Sequence, residues 1–136
     1  MTLVDSNVLL DLATDDENWA DWSQAQLELA ASAGPLLINS VIYAEVSVRY
    51  RTVEALDATL RDLKVELAEI PRPALFLAGK AYLRYRGARG SRTGVLSDFF
   101  IGAHAAVKQL PLLTRDTRRY RTYFPTVALI APDGER

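Results

Sequence analysis

The chain carries seventeen carboxylates, and four of them stand where a solvated acid has no ordinary reason to be. Asp5 follows Leu3–Val4 and precedes Val8–Leu9; Glu45 lies in NSVIYAEVS (39–47); Asp98 opens LSDFFIGAHA (96–105); Asp116 follows LLT in LLTRD (112–116). Acids in polar runs such as TDDEN (14–18) read as surface. Each of the four has a plainer role available. Asp98 could serve a helix dipole, Asp116 could cap a turn, Glu45 could pair with Arg49 four residues on, and Asp5 could bond the next backbone turn. Taken together they raise a different chemistry. Converging carboxylates repel unless one holds a proton or a cation neutralises them. An all-oxygen donor set favours Mg²⁺ or Mn²⁺, which use a few carboxylates, water and substrate phosphate. Such an ion can activate water for in-line displacement at a phosphodiester.

The other half of that chemistry is basic. Residues 1–70 hold thirteen acids against four bases, whereas residues 71–136 hold twelve bases against four acids, so the overall net charge of −1 is a cancellation. Arg84, Arg86, Arg89 and Arg92 surround a Gly-rich stretch, and Arg115, Arg118, Arg119 and Arg121 interleave with Tyr120, Tyr123 and Phe124. Guanidinium groups hold phosphates, and aromatic or guanidinium planes stack on unpaired bases, as single-stranded RNA requires. Of these, Arg86, Arg89, Arg115, Arg118 and Arg121 are the candidate RNA contacts. An ordinary basic surface, or ion pairs to the acidic half, is the competing account.

The elements that must position these groups alternate. Short apolar runs at Leu3–Val4, Leu36–Asn39, Val65–Ile70, Pro111–Thr114 and Val127–Ala131 read as strands. Between them lie helical patterns near Asn7–Ala13, Asn18–Ala33, from a Ser40 cap to Val48, along Val53–Leu56–Leu60–Leu63, along Leu75–Ala78–Tyr82–Tyr85, and from a Ser97 cap to Lys108. A basic helix or turn is expected at 115–124. In the second of these helices Trp19, Trp22, Ala25 and Leu29 are expected to share the buried stripe. Strands separated by helices imply an α/β fold: one domain over 1–136, a central parallel sheet, and helices on both faces. Ligands of such sheets bind beyond the carboxyl ends of the strands.

Composition excludes several alternatives. With 49% apolar and 24% charged residues the chain is globular in type. No apolar run approaches the ~20 residues of a membrane span, and the amino terminus has no signal-peptide pattern, so a cytoplasmic protein is expected. The absence of cysteine removes disulfides and thiolate metal sites.

With these residues the sequence resembles the PIN-domain nucleases, most closely the VapC-type ribonuclease toxins of type II toxin–antitoxin systems. The resemblance rests on VDSNVLLDL (4–12), Ala44–Glu45, LSDFFIGAHA (96–105) and LLTRDTRRYRTYF (112–124), in the family's order. It implies a Mg²⁺- or Mn²⁺-dependent endoribonuclease whose acidic pocket is Asp5, Glu45, Asp98 and Asp116. Asp5 and Asp98 would be the principal metal ligands, and Glu45 and Asp116 would complete the pocket directly or through water. Asn7 and Thr114 match small polar positions that orient the first and last acids. A homodimer and a cognate antitoxin reaching into the pocket are implied as well.

Other readings are weaker. DSNV (5–8) superficially matches the start of aspartate-dependent phosphatases of the haloacid-dehalogenase type, but Asn7 stands where they have a second aspartate. A receiver-type signalling domain lacks its acidic pair. A housekeeping RNA-processing nuclease and a non-catalytic RNA- or protein-binding module of the same fold remain as alternatives. His104, six positions after Asp98, points about 240° around the helix from it and reads as a structural histidine. Trp19 and Trp22 read as core or partner groove before base-stacking platform.

Overall fold

Strand β1 (Thr2–Val4) is buried along its whole length and lies at the centre of a five-stranded sheet. The computed structural model describes residues 1–88 and 96–132. The remaining strands are β2 (Leu36–Ile38), β3 (Val65–Leu67), β4 (Leu112–Leu113) and β5 (Leu129–Ile130), in the spatial order β3-β2-β1-β4-β5. Every pairing is parallel, as expected where helical crossovers separate short apolar strands. Seven helices are found among the described residues: α1 (Ser6–Ala13), α2 (Ala20–Ala33), α3 (Ser40–Ser47), α4 (Val53–Leu63), α5 (Arg72–Gly87), α6 (Leu96–Lys108) and α7 (Arg118–Tyr123).

The chain builds outward from β1 to β2 and β3, then returns to lay β4 and β5 on the opposite side. Strand order therefore reverses between β1 and β4. That reversal opens a crevice at the carboxyl ends of the two strands, the usual ligand position of an open α/β sheet. Asp5 follows β1 and Thr114 follows β4, so both sit at this point.

Local chemistry explains most of the helix boundaries. Asp5 is the N-cap of α1, its carboxylate accepting from Ser6 N. Thr52 caps α4 by accepting from Ala55 N, and Lys64 closes it in the left-handed conformation (φ 58°). Asn39, rather than Ser40, caps α3, its side chain accepting from Ile42 N. Ser97 lies inside α6 instead of capping it.

Helix α2 differs most from its sequence pattern. Asp16 Oδ1 accepts from Asn18 N and Trp19 N, both at 2.9 Å, and this turn delays the helix to Ala20. Its buried residues are Ser23, Leu27 and Ala30, and Leu29 is exposed. On α4 and α5 the first residue of each expected apolar stripe, Val53 and Leu75, is likewise exposed. Helix α5 instead packs through Ala74, Ala78 and Ala81. Small side chains allow close approach to α6, whose buried face includes Phe99, Ile101, Gly102, Ala103 and Ala105.

Candidate active site at the β1–β4 crevice

Asp5 leaves β1 with its backbone N–H donated to Leu113 O of β4 at 2.9 Å. Asp5 is 4% exposed, and both oxygens of its carboxylate accept hydrogen bonds. Oδ1 accepts from Ser6 N at 2.7 Å. Oδ2 accepts from the Thr114 hydroxyl and the Tyr120 hydroxyl, each at 2.8 Å. Asn7 supports Thr114 from behind, its Nδ2 donating to Thr114 Oγ1 at 3.2 Å. Thr114 thus holds Asp5, and Asn7 holds Thr114.

The charge on Asp5 is costly in this setting. Burial pushes its pKa from 3.8 up to about 6, against the pull of the Thr114 and Tyr120 hydroxyls, and the nearby Asp98 carboxylate raises it further. Asp98, in the first turn of α6, is also raised, first by burial; Arg119 opposes that shift, while Glu45 and Asp116 add to it. Asp98 thus acts on Asp5, and Glu45 and Asp116 act on Asp98, although the four lie far apart along the chain. Glu45 Oε1 accepts from Ser6 Oγ at 2.8 Å, which turns it toward Asp5's loop. An ion pair between Glu45 and Arg49 does not occur among the described residues. Asp116 is exposed at the rim, its backbone N–H donating to Thr114 Oγ1 at 3.1 Å.

Among the described residues, no three His, Cys, Asp or Glu side chains are close enough to form a ready-made metal cage. An ion held by one or two carboxylates, with water and substrate filling its other positions, fits this arrangement, and Mg²⁺ binds that way. The all-oxygen donor set fits it, as do Asp5 and Asp98, each raised by burial and by a neighbouring carboxylate. A closed structural zinc site is excluded by donor type.

Three residues at the site were not legible as site residues. Tyr120 and Arg119 fell among the RNA-facing aromatic and basic residues of 115–124, but α7 turns both inward. Tyr120 is 2% exposed and donates to Asp5. Burial and the neighbouring Asp5 raise the pKa of its hydroxyl well above 10, so it stays a donor. Arg119 Nη1 donates to Asp98 Oδ2 at 2.6 Å. Phe124 is also core, not a stacking platform. The third is Asp11, which Leu10 and Leu12 flank. It is 2% exposed and accepts from Ser23 Oγ and from Arg115 Nε, with Arg115 Nη2 on its other oxygen, each at 2.8 Å.

The candidate RNA contacts accordingly divide. Arg115 is committed to Asp11 by that two-pronged pair and lies over the Trp19 ring. Arg118 and Arg121 are exposed on α7. Arg118 lines a cleft of about 610 Å³ with Trp19, Tyr85, Arg115, Asp116 and Arg119. Arg86 borders a different hollow on α5, beside Phe76 and Leu83. Arg89 lies outside the described residues. His104 is 1% exposed and its Nδ1 lies 3.0 Å from Asn39 Nδ2, so it is structural. Burial lowers its pKa, and Lys108 adds to that.

Against known families, residues 2–125 match the model of the PIN domain. The chain belongs to the PIN-domain family. No curated protein matches this PIN domain. Solved structures do. VapBC2 from Rickettsia felis bound to a promoter DNA fragment superposes with a TM-score of 0.72 at 18% identity, covering 97% of this chain and 98% of that one. A toxin–antitoxin complex from Klebsiella pneumoniae gives 0.66 at 23% identity, over 94% and 96% of the two chains. DNA-bound VapBC from Salmonella typhimurium gives 0.69 at 15%, over 96% and 98%. At these identities the likeness is one of fold. No helix among the described residues of the PIN domain is long and apolar enough to cross a membrane.

Proposed function

We propose that this PIN domain is a divalent-metal-dependent endoribonuclease acting as the toxin of a toxin–antitoxin pair. The observation that carries the nuclease reading is the convergence of Asp5 and Asp98 at the strand-order reversal, both raised by burial and by nearby carboxylates. The toxin reading is supported by the fold neighbours, among them the toxin–antitoxin complex from Klebsiella pneumoniae and the DNA-bound VapBC from Salmonella typhimurium. An antitoxin partner, an RNA substrate, a homodimer and a cytoplasmic setting go with it.

Asp5 and Asp98 would hold Mg²⁺ or Mn²⁺, with Glu45 and Asp116 at its margin. A bound cation supplies the acidity that makes water nucleophilic at neutral pH and stabilises charge on the cleaved phosphodiester. The protein's own part is positional. Ser6 N, Thr114 and Tyr120 fix the Asp5 carboxylate in one orientation. Ser6 Oγ directs Glu45. Thr114 ties the β4 end to the same carboxylate, so the crevice cannot widen without breaking a buried bond.

The deciding experiment incubates the protein with a total-RNA panel in Mg²⁺, in Mn²⁺ or in chelator, and maps the cut ends. Ends that appear only with metal support the reading; RNA left intact under all three conditions overturns it. The toxin assignment is tested by co-expression with the product of an adjacent short reading frame, which should suppress the cleavage.

Stability should report the metal as well. A carboxyl whose pKa is raised from 3.8 to about 6 by folding favours the folded state while protonated, and that contribution is lost as pH rises through 6. The loss amounts to about 3 kcal/mol at most. A cation beside Asp5 offsets it, and binding to the folded state alone raises the melting temperature. Millimolar Mg²⁺ should therefore raise the melting temperature more at about pH 7.5 than at about pH 5. Equal shifts at both values would detach the metal from Asp5.

RNA contacts are tested by salt. Arg118→Ala with Arg121→Ala removes two exposed charges from α7. The slope of log affinity against log salt for single-stranded RNA should become shallower by about 1.4. An unchanged slope would place the RNA elsewhere.

A further inference from the structure

Arg119 stands between the two halves of the proposed site. Its Nη1 is 2.6 Å from Asp98 Oδ2, and among the described residues this is the ion pair made by any of the four acids. Its guanidinium also lies 5.4 Å from the centre of the Tyr85 ring. The same residue lines the cleft that Trp19, Arg115 and Arg118 share. Neither partner of the pair is sealed: the side chains of Arg119 and Asp98 are 24% and 27% exposed. A part-buried pair with both partners in contact with solvent is open to exchange with solvent ions.

One carboxylate cannot serve a guanidinium and a divalent cation at the same oxygen, and two cations at that distance repel. Arginine does not deprotonate at any ordinary pH, so it yields the place only by moving. Tyr85 eases that move, because the guanidinium already lies over its ring and keeps that support when it loses its carboxylate. We propose that Arg119 is an internal cation that holds Asp98 until a divalent metal displaces it, and that the released guanidinium turns into the cleft to take an RNA phosphate. This inference rests on the nuclease reading above and adds a competition within its site.

Metal then binds only the fraction of molecules in which Arg119 is away from Asp98, and its apparent affinity falls by that fraction. By linkage, an RNA phosphate that captures Arg119 strengthens metal binding. Metal and substrate load together, although of the four carboxylates only Asp116 lines the cleft.

The test is Mn²⁺ titration calorimetry on the full chain without RNA, comparing wild type with Arg119→Gln. The variant should bind Mn²⁺ roughly fivefold tighter or more, and a cleavage-resistant single-stranded oligonucleotide should strengthen its Mn²⁺ binding less than it does for wild type. Unchanged or weaker Mn²⁺ binding by a folded Arg119→Gln protein overturns the competition and leaves the nuclease reading standing. Absence of Mn²⁺ binding by wild type overturns both. Arg119→Lys keeps the charge and loses the planar fork. It should fall between the two, and it decides the matter by the same criterion if the glutamine variant does not fold.

Discussion

Asp98→Asn is expected to lower metal-dependent RNA cleavage by on the order of 10³-fold, the scale at which a single charge-stabilising group acts in a preorganised site. The substitution keeps the size of the side chain and its place in the first turn of α6. It removes a carboxylate that burial already disfavours as an anion. The lost partner is Arg119, whose pairing offsets part of the burial cost of that charge, so removing the charge gives back much of what losing the pair costs. Melting temperature and far-ultraviolet circular dichroism should thus match wild type while the mapped cut ends disappear. Full cleavage by a verified pure Asp98→Asn protein would remove Asp98 from the site. Lost cleavage with a collapsed melting transition would make the residue structural. Asp5→Asn makes a poorer test, since its Oδ2 accepts two hydroxyls that an amide nitrogen would meet as a donor.

The contrast between these two acids shows what a sequence can and cannot carry. Asp5 was legible because its environment is local: two strand residues precede it and its own carboxylate caps the helix that follows. Asp98 was legible for the same reason, at the head of an apolar helix. The parallel sheet followed from short apolar runs spaced by helices, and its reversal point brings the two regions together without further information. Arg119 and Tyr120 were not legible, because a basic aromatic segment has the same composition whichever way its helix is rotated. Their direction is set by where α7 docks, and that depends on residues of α6. Asp11 and Arg115 are hidden likewise. Their two-pronged contact joins positions 104 residues apart, so one reads as a helix acid and the other as an RNA contact. The burial of Ser23 in place of Ala25 or Leu29 belongs to the same network, since Ser23 donates to Asp11.

If α7 aims two side chains at the carboxylates, whatever fixes α7 governs the site, and Gly102 is that point. A Cβ built at this position would lie 2.3 Å from Phe124 Cδ2 and 2.6 Å from Cε2. Phe124 closes α7 as its C-cap and is itself buried against Phe99. A ring held in that way cannot swing aside like the end of a flexible chain, so the methyl must displace α7 or part α6 from it.

Alanine would otherwise be favoured over glycine within a helix by about 1 kcal/mol. Overpacking a tight interior contact costs about 1–3 kcal/mol, so Gly102→Ala should destabilise on balance. For a domain of this size, each kcal/mol lowers the melting temperature by roughly 4 °C. Gly79→Ala on α5 is the control, as no atom lies within 4 Å of its Cβ position, and it should melt at or above the wild-type temperature. Gly102→Ala should also impair cleavage beyond its effect on stability, by shifting Tyr120 from Asp5 and Arg119 from Asp98. Assays well below both melting temperatures separate these effects, because a purely global loss leaves the folded fraction fully active there. If Gly102→Ala melts and cleaves like wild type, α7 is held by contacts other than Phe124, and its grip on the two carboxylates does not depend on α6.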